Sequence, residues 1–133
     1  MSKTKKIHIC EDNEKNLELF KAVLGTIPNL SILTSMTGEE CLQQMKTNPV
    51  DVIILDIQLP DMSGIDVCRE LRKEGIHKNT PIIAVTSFAM KGDEGRILEA
   101  KFTDYVSKPI LIKEFRAMIL KYLDGFPPPI GRL

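Results

Sequence analysis

The sequence lacks an excess of charge of either sign. Its 133 residues include 18 lysines and arginines and 18 aspartates and glutamates, so the formal net charge is zero. A chain without net charge has no overall electric field to attract nucleic acid or an anionic lipid surface. We also find no local basic patch, and we therefore expect neither direct nucleic-acid binding nor membrane binding.

Cysteines and long apolar runs are also scarce. Cys10, Cys41 and Cys68 form no C-x-x-C pair, so we interpret them as free, buried thiols of a cytoplasmic protein. The basic N-terminus is followed by only a short apolar run that ends at Glu11-Asp12, which is neither a signal peptide nor a membrane span. The sequence contains no G-x-x-x-x-G-K-[ST] motif of a nucleotide-binding P-loop.

The most informative stretch is a short apolar segment that ends in an acid. Residues 52–55 are Val-Ile-Ile-Leu, and Asp56 follows them. Such a run is typical of a strand that is buried on both faces of a parallel sheet. Asp56 is then expected at the C-terminal end of its strand, which is the edge where open α/β sheets bind ligands.

The chain alternates strand-like and helix-like segments five times. The strands are predicted at residues 7–10, 30–33, 52–56, 81–86 and 104–107. Because the connections are too long for hairpins, right-handed crossovers and a parallel sheet follow. The predicted fold is α/β and flavodoxin-like, a three-layer (βα)5 sandwich with a five-stranded parallel sheet in the order 2-1-3-4-5.

Capping residues mark three of the predicted helix starts. Asn13 can cap the first helix, Thr37-Gly38-Glu39-Glu40 is a capping box for the second, and Ser63 is a box-like start for the third. The fourth helix contains Gly92 and Gly95, each of which costs up to about 1 kcal/mol relative to alanine. We expect it to be the most mobile helix.

Polar residues lie at the C-terminal ends of four of the five predicted strands. Because the strands are parallel, their C-terminal ends share one edge of the sheet, and these side chains are expected to converge there. They are Glu11-Asp12, Asp56, Thr86 and Lys108.

Three acids in one site require a cation, since mutual repulsion would otherwise raise the pKa of one of them. Mg2+ prefers oxygen ligands and takes one or two protein carboxylates. We expect Asp12 and Asp56 to bind Mg2+ directly, Glu11 to act through a bound water, and the backbone carbonyl of Gln58 to fill a further position.

A carboxylate beside Mg2+, a hydroxyl and an ammonium is suited to accept a phosphoryl group. In this interpretation Asp56 attacks the phosphorus, Lys108 pairs with the phosphoryl oxygens, and Thr86 donates a hydrogen bond to another of them.

These motifs resemble those of the response regulator receiver family, the CheY-like domains, over residues 5–124. A finer likeness to DivK-type single-domain regulators and to hybrid-kinase receivers rests on residues 11–13, 56–60 and 88–94. The motifs that match the receiver family are Glu11-Asp12, Asp56 with Pro60 and Gly64, Thr86-Ser87, and Lys108-Pro109.

The Pro-rich residues 125–133 are expected to form a tail or a linker.

The resemblance implies a phosphate-operated switch in a two-component phosphorelay. A histidine kinase or histidine phosphotransfer protein would donate the phosphoryl group, and a downstream protein would bind the changed surface. The domain would not be an enzyme, except that it would catalyse its own phosphorylation and dephosphorylation. It would be a monomer or a weak dimer.

Thr86 and Tyr105 match the switch pair of the family, although Tyr105 could also be a plain half-buried strand aromatic. The signal is expected on the surface of the fourth helix, fifth strand and fifth helix. The alternative surface is the first helix, where we expect Leu17 and Phe20 to be partly exposed.

Several expectations concern single positions. The Lys108-Pro109 bond is expected to be cis, because a tight turn would bring the ammonium over the strand ends. Phe88 and Gln58 are expected to crowd the water that hydrolyses the aspartyl phosphate. His8 is expected to be a satisfied strand histidine and His77 an exposed loop residue.

Three alternative functions follow from the same architecture. A flavin-binding protein would need small hydroxyl residues and glycine in the first loop, where Glu11-Asp12 would repel a nucleotide phosphate. A phosphatase with an aspartate nucleophile would need a cap region that this chain lacks. The third alternative is the receiver portion of a larger hybrid kinase or output-domain regulator.

Overall fold

A computed structural model of the chain describes residues 4–73, 75–87 and 93–124, with side chains for all of these except residues 93 and 94. The expectations for Phe88, for Gly92 and for residues 125–133 lie outside the described residues.

Five strands and five helices alternate along the described chain, and every adjacent strand pair is parallel. The sheet order is β2-β1-β3-β4-β5, which confirms the predicted fold class and strand order. Two strands are longer than predicted, since β1 begins at Lys5 and β2 continues to Ser35. The elements are β1 (Lys5–Cys10), α1 (Glu14–Leu24), β2 (Leu30–Ser35), α2 (Gly38–Met45), β3 (Val52–Asp56), α3 (Gly64–Lys73), β4 (Ile82–Thr86), α4 (Asp93–Glu99), β5 (Asp104–Ser107) and α5 (Ile112–Leu123).

The predicted caps of α1 and α2 are present. Asn13 Oδ1 accepts a hydrogen bond from the Asn16 amide at 3.0 Å, and Thr37 Oγ1 accepts one from the Glu40 amide at 3.0 Å. Each bond satisfies an amide that the helix itself leaves unpaired. At α3 the Ser63 hydroxyl accepts from the Ile65 amide at 3.1 Å.

The sheet separates two hydrophobic cores. The first core lies between one face of the sheet and the helices α1 and α5. In this core the ring centroids of Phe20 and Phe115 are 5.2 Å apart. The second core lies under α2, α3 and α4 and includes Met45, Ile65 and Ile97. The three-layer arrangement is therefore confirmed.

The expectation that Leu17 and Phe20 are partly exposed is wrong. Their relative exposures are 9% and 1%, because the apolar face of α1 packs into the first core. If α1 binds a partner, it does so through other side chains.

His77 is buried, against the expectation of an exposed loop residue, and is only 3% exposed. Its Nε2 donates to the Met45 carbonyl at 2.9 Å, and its Nδ1 lies 3.2 Å from the Thr80 hydroxyl. Burial lowers the pKa of the His77 imidazole. The ring closes the end of α2, where helix carbonyls need donors.

His8 is buried as expected but only half satisfied. Its Nε2 lies 2.8 Å from the Ser35 hydroxyl, whereas its Nδ1 has no hydrogen-bond partner among the described residues. All three cysteines are free and buried, as predicted. No helix in the described part of the chain is long and apolar enough to cross a membrane.

Candidate functional site: an acidic cluster at the C-terminal edge of the sheet

Strand geometry brings two of the predicted acids together. Side chains alternate between the two faces of a strand. Glu11 directly follows β1 and therefore shares a face with Ile9. Asp56 ends β3 and shares a face with Ile54. Both isoleucines belong to the first core. Since β1 and β3 are neighbours in the sheet, the two carboxylates meet at its C-terminal edge.

Four of the predicted site residues form one cluster. One carboxylate oxygen each from Glu11, Asp12 and Asp56 lies within 4.8 Å of the others. Lys108 Nζ is 3.1 Å from Asp56 Oδ2 and 3.5 Å from Glu11 Oε1. Glu11 and Asp56 are buried, whereas Asp12 is exposed to solvent.

The other three predicted residues lie at the end of β4, on β5 and in the loop after β3. Thr86 is the buried last residue of β4, and its carbonyl accepts a hydrogen bond from the Lys108 amide at 2.8 Å. Tyr105 is half-buried on β5 and packs against the second core, on the strand beside Thr86. Gln58 is exposed, and its amide donates to Asp56 Oδ1 at 2.9 Å.

The Lys108-Pro109 bond is cis, as predicted. Gly64, the glycine of the motif after Asp56, is required by close packing. A Cβ on Gly64 would lie 2.1 Å from the carbonyl oxygen of Asp56, a distance that no side chain can occupy.

In the described part of the chain, the cluster holds three carboxylates and one lysine. Burial, together with the neighbouring Asp56 carboxylate, raises the pKa of Glu11 to about 7. Burial alone would lower the pKa of Lys108, but Asp56 and Glu11 stabilise its charged form and raise that pKa. Among the described residues, Glu11 and Asp56 share one cationic partner, Lys108, and a further cation would stabilise the cluster.

Sequence reasoning missed one hydrogen-bonding residue of the loop between β3 and α3. The Asp61 carboxylate accepts hydrogen bonds from the amides of Gly38 and Glu39, which lie 23 and 22 residues away in the chain. No local pattern marks such a partner, because the capped helix precedes Asp61 by a whole strand.

An acidic cluster with a lysine at the C-terminal edge of this five-stranded sheet defines a class of signalling domain. The sequence matches the response regulator receiver domain family over residues 7–120, and the chain belongs to this family. It is therefore a CheY-like receiver domain of two-component signalling.

Relatives of this chain include DivK proteins. The chain is 41% identical over 120 residues to the polar-differentiation response regulator DivK of Brucella ovis, covering 90% of this chain and 97% of that protein. It is 40% identical over 119 residues to DivK of Brucella anthropi, covering 90% of this chain and 96% of that protein. The finer likeness to DivK-type regulators is thereby confirmed.

Solved receiver structures are similar as well. The receiver domain of a sensor histidine kinase from Pseudomonas aeruginosa has a TM-score of 0.83 and 26% identity, covering 91% of this chain and 98% of that chain, and has a magnesium ion coordinated in its active site cleft. A CheY-like receiver domain protein from Methanospirillum hungatei has a TM-score of 0.82 and 25% identity, covering 90% of this chain and 94% of that chain.

Proposed function

We propose that Asp56 accepts a phosphoryl group from a histidine kinase or a histidine phosphotransfer protein, with Mg2+ bound beside it, and that a downstream protein binds the phosphorylated form. The observation that carries this proposal is the cluster itself, in which the Asp56 carboxylate lies 3.1 Å from Lys108 Nζ among three acids. Membership of the receiver family supports it.

The residues present fit a magnesium ion. Carboxylate oxygens are the ligands that this hard cation prefers. Glu11 Oε1 is buried without a hydrogen-bond partner among the described residues, although Lys108 lies 3.5 Å away. Asp12 and Asp56 would hold the ion directly, Glu11 through a water, and the Gln58 carbonyl would fill a further position. When bound, the ion supplies positive charge that offsets the carboxylates and the incoming phosphoryl oxygens.

The protein residues perform the transfer by position and charge. An Asp56 oxygen forms a bond to phosphorus, the phosphorus–nitrogen bond of the donor phosphohistidine breaks, and the imidazole leaves. Lys108 pairs with a phosphoryl oxygen, and the Thr86 hydroxyl donates a hydrogen bond to another. The chain catalyses only this transfer and the later hydrolysis.

The signal passes from the site through Thr86 to Tyr105. Once the Thr86 hydroxyl turns towards the phosphoryl group, it vacates space that Tyr105 on the adjacent strand fills. Tyr105 lines a groove of about 980 Å³ along β5 and α5, together with Met118 and Lys121. This groove, on the predicted output surface of α4, β5 and α5, supports the assignment of a protein partner to that surface.

The proposal assigns the receiver domain to residues 5–124. Slow hydrolysis of the phosphoryl group stays a prediction from Gln58 and Phe88.

Phosphorylation is tested by measuring intact mass after incubation with acetyl phosphate. We expect an added mass of about 80 Da, the mass of one phosphoryl group, on the wild-type chain in the presence of Mg2+. The adduct should be absent in excess EDTA and in Asp56→Asn. Undiminished labelling of Asp56→Asn would overturn the assignment of the acceptor.

A further inference from the structure

The loop between β3 and α3 is tied to α2 by a carboxylate. Asp61 Oδ1 accepts a hydrogen bond from the Gly38 amide at 2.8 Å, and Oδ2 accepts one from the Glu39 amide at 2.9 Å. These are the first two amides of α2, which have no partner within the helix. The amides of Glu39 and Gly38 stabilise the charged carboxylate and lower the pKa of Asp61.

Side-chain packing reinforces this contact. A Cβ on Gly38 would lie 2.4 Å from Met62 Cγ, so the residue after Asp61 lies directly against the start of α2. The helix in turn is held on the sheet by Cys41 and Met45, both fully or almost fully buried in the second core. The tip of the loop therefore rests on a fixed support.

The helix has its own cap and does not depend on Asp61 to begin. Thr37 Oγ1 accepts a hydrogen bond from the Glu40 amide, the third of the helix, at 3.0 Å. Asp61 bonds to the two preceding amides instead. What Asp61 adds is a connection between the helix and a distant loop.

The same loop carries the proposed backbone ligand. Its base is closed by a hydrogen bond from the Gly64 amide to the Ile57 carbonyl at 2.8 Å and by an antiparallel bridge between Gln58 and Ser63. The Gln58 amide also donates to Asp56 Oδ1. Residues 58–63 are thus held at their base by β3 and at their tip by α2.

We propose that Asp61 is a positioning residue of the phosphorylation site, which holds loop 58–63 on α2 so that the Gln58 carbonyl is in place for Mg2+. This inference rests on the proposed function. Without Asp61 the tip of the loop loses both hydrogen bonds to α2, although Met62 still packs there, so binding the ion must also restore part of the order of the loop. That additional loss of conformational entropy weakens the affinity for Mg2+.

The test compares Asp61→Ala with Thr37→Ala, which removes a hydrogen bond from the same helix start and leaves loop 58–63 intact. Mg2+ affinity is measured by titrating 15N-labelled protein and following amide shifts, and the Mg2+ concentration for half-maximal acetyl phosphate labelling is measured in parallel. Supporting groups of metal ligands are worth about tenfold or more in affinity. We expect Asp61→Ala to weaken Mg2+ binding about tenfold and Thr37→Ala to change it less than about twofold. Asp61→Asn, which keeps one acceptor oxygen, should lie between wild type and Asp61→Ala.

The outcomes separate this inference from the proposed function. Equal changes of Mg2+ affinity in Asp61→Ala and Thr37→Ala would show that Asp61 acts only as a helix cap, and would overturn the inference. Labelling of the wild-type chain by acetyl phosphate would still support the proposed function in that case. If wild type binds Mg2+ but takes no phosphoryl group, the proposed function is wrong, and the affinities still decide the role of Asp61. If wild type does not bind Mg2+, both are wrong.

Discussion

Lys108 Nζ lies 3.1 Å from Asp56 Oδ2, although the two residues are 52 positions apart in the chain. Their strands, β5 and β3, are not neighbours in the sheet, because β4 lies between them. The Lys108 amide donates to the Thr86 carbonyl at the end of β4, and this bond holds the start of the turn from which the lysine reaches across. The proposed phosphoryl transfer to Asp56 would thus depend on a turn that follows β5, two strands away.

The first prediction concerns this contact. Lys108→Ala should slow labelling by acetyl phosphate about 100-fold, because it removes a charged donor to the transferring group. The rate is measured from a time course of intact mass. Lys113→Ala, which removes an exposed lysine of α5, is the matched control and should label at the wild-type rate. Equal rates for Lys108→Ala and the control would show that Lys108 is not needed.

Binding of Mg2+ should stabilise the folded chain. A ligand that binds only the folded state adds about 1.4 kcal/mol at ten times its Kd, measured by urea unfolding with and without Mg2+. Asp12→Asn and Asp56→Asn should lose this increment, whereas Asp66→Asn, an exposed acid of α3, should keep it. If Mg2+ raises the free energy of unfolding equally in wild type and in all three variants, the ion binds at another site.

The buried His77 should make stability depend on pH. Burial lowers the pKa of its imidazole in the folded state. Below the unfolded-state pKa of about 6.5, the unfolded chain therefore binds a proton on His77 more readily than the folded chain does. Stability from this residue is present above that pH and is lost as the pH falls. The free energy of unfolding should therefore fall more between about pH 7.5 and about pH 5.5 in wild type than in His77→Gln. The two proteins share all other titrating groups, and parallel losses would contradict this role.

Arg72 should contribute strongly to stability. Arg72→Ala is expected to cost about 2 to 3 kcal/mol of unfolding free energy, because several partly buried acceptors lose their donor at once. Arg69→Ala is the control, since its only described ion pair is an exposed 3.5 Å contact with Asp66 worth less than about 1 kcal/mol. Chemical denaturation measures the unfolding free energy of both variants. A similar loss in the two would refute the stabilising role of Arg72. The groups that accept hydrogen bonds from Arg72 are the carbonyls of Lys101, His77, Lys78 and Thr80 and the hydroxyl of Thr103.

The switch is tested with beryllofluoride, a stand-in for the phosphoryl group. Amide spectra of wild type should change in β5 and α5 as well as around Asp56, because a charged hydrogen bond of about 1.5 to 3 kcal/mol shifts a two-state population tenfold or more. In Thr86→Ala the changes should stay in the loops around Asp56. Wild-type spectra that change only in those loops would rule out the pathway through Tyr105.

Much of the fold was predictable from local patterns. The apolar run before Asp56 and the caps at Asn13 and Thr37 depend on residues within one turn or one strand, so the sequence displays them directly. Parallel strands also place their C-terminal ends on one edge whatever their exact order. This is why the cluster of acids and Lys108 could be predicted before any distance was known.

Only the tertiary structure decided which distant groups meet. The sequence determined that Leu17 and Phe20 lie on an apolar helix face, but the packing of α1 into the first core decided that they are buried. Likewise, the carbonyl that binds His77 and the amides that bind Asp61 belong to α2, more than twenty residues away. Periodicity and capping propensity report only on neighbours along the chain, whereas these hydrogen bonds form after the sheet has brought separate segments together.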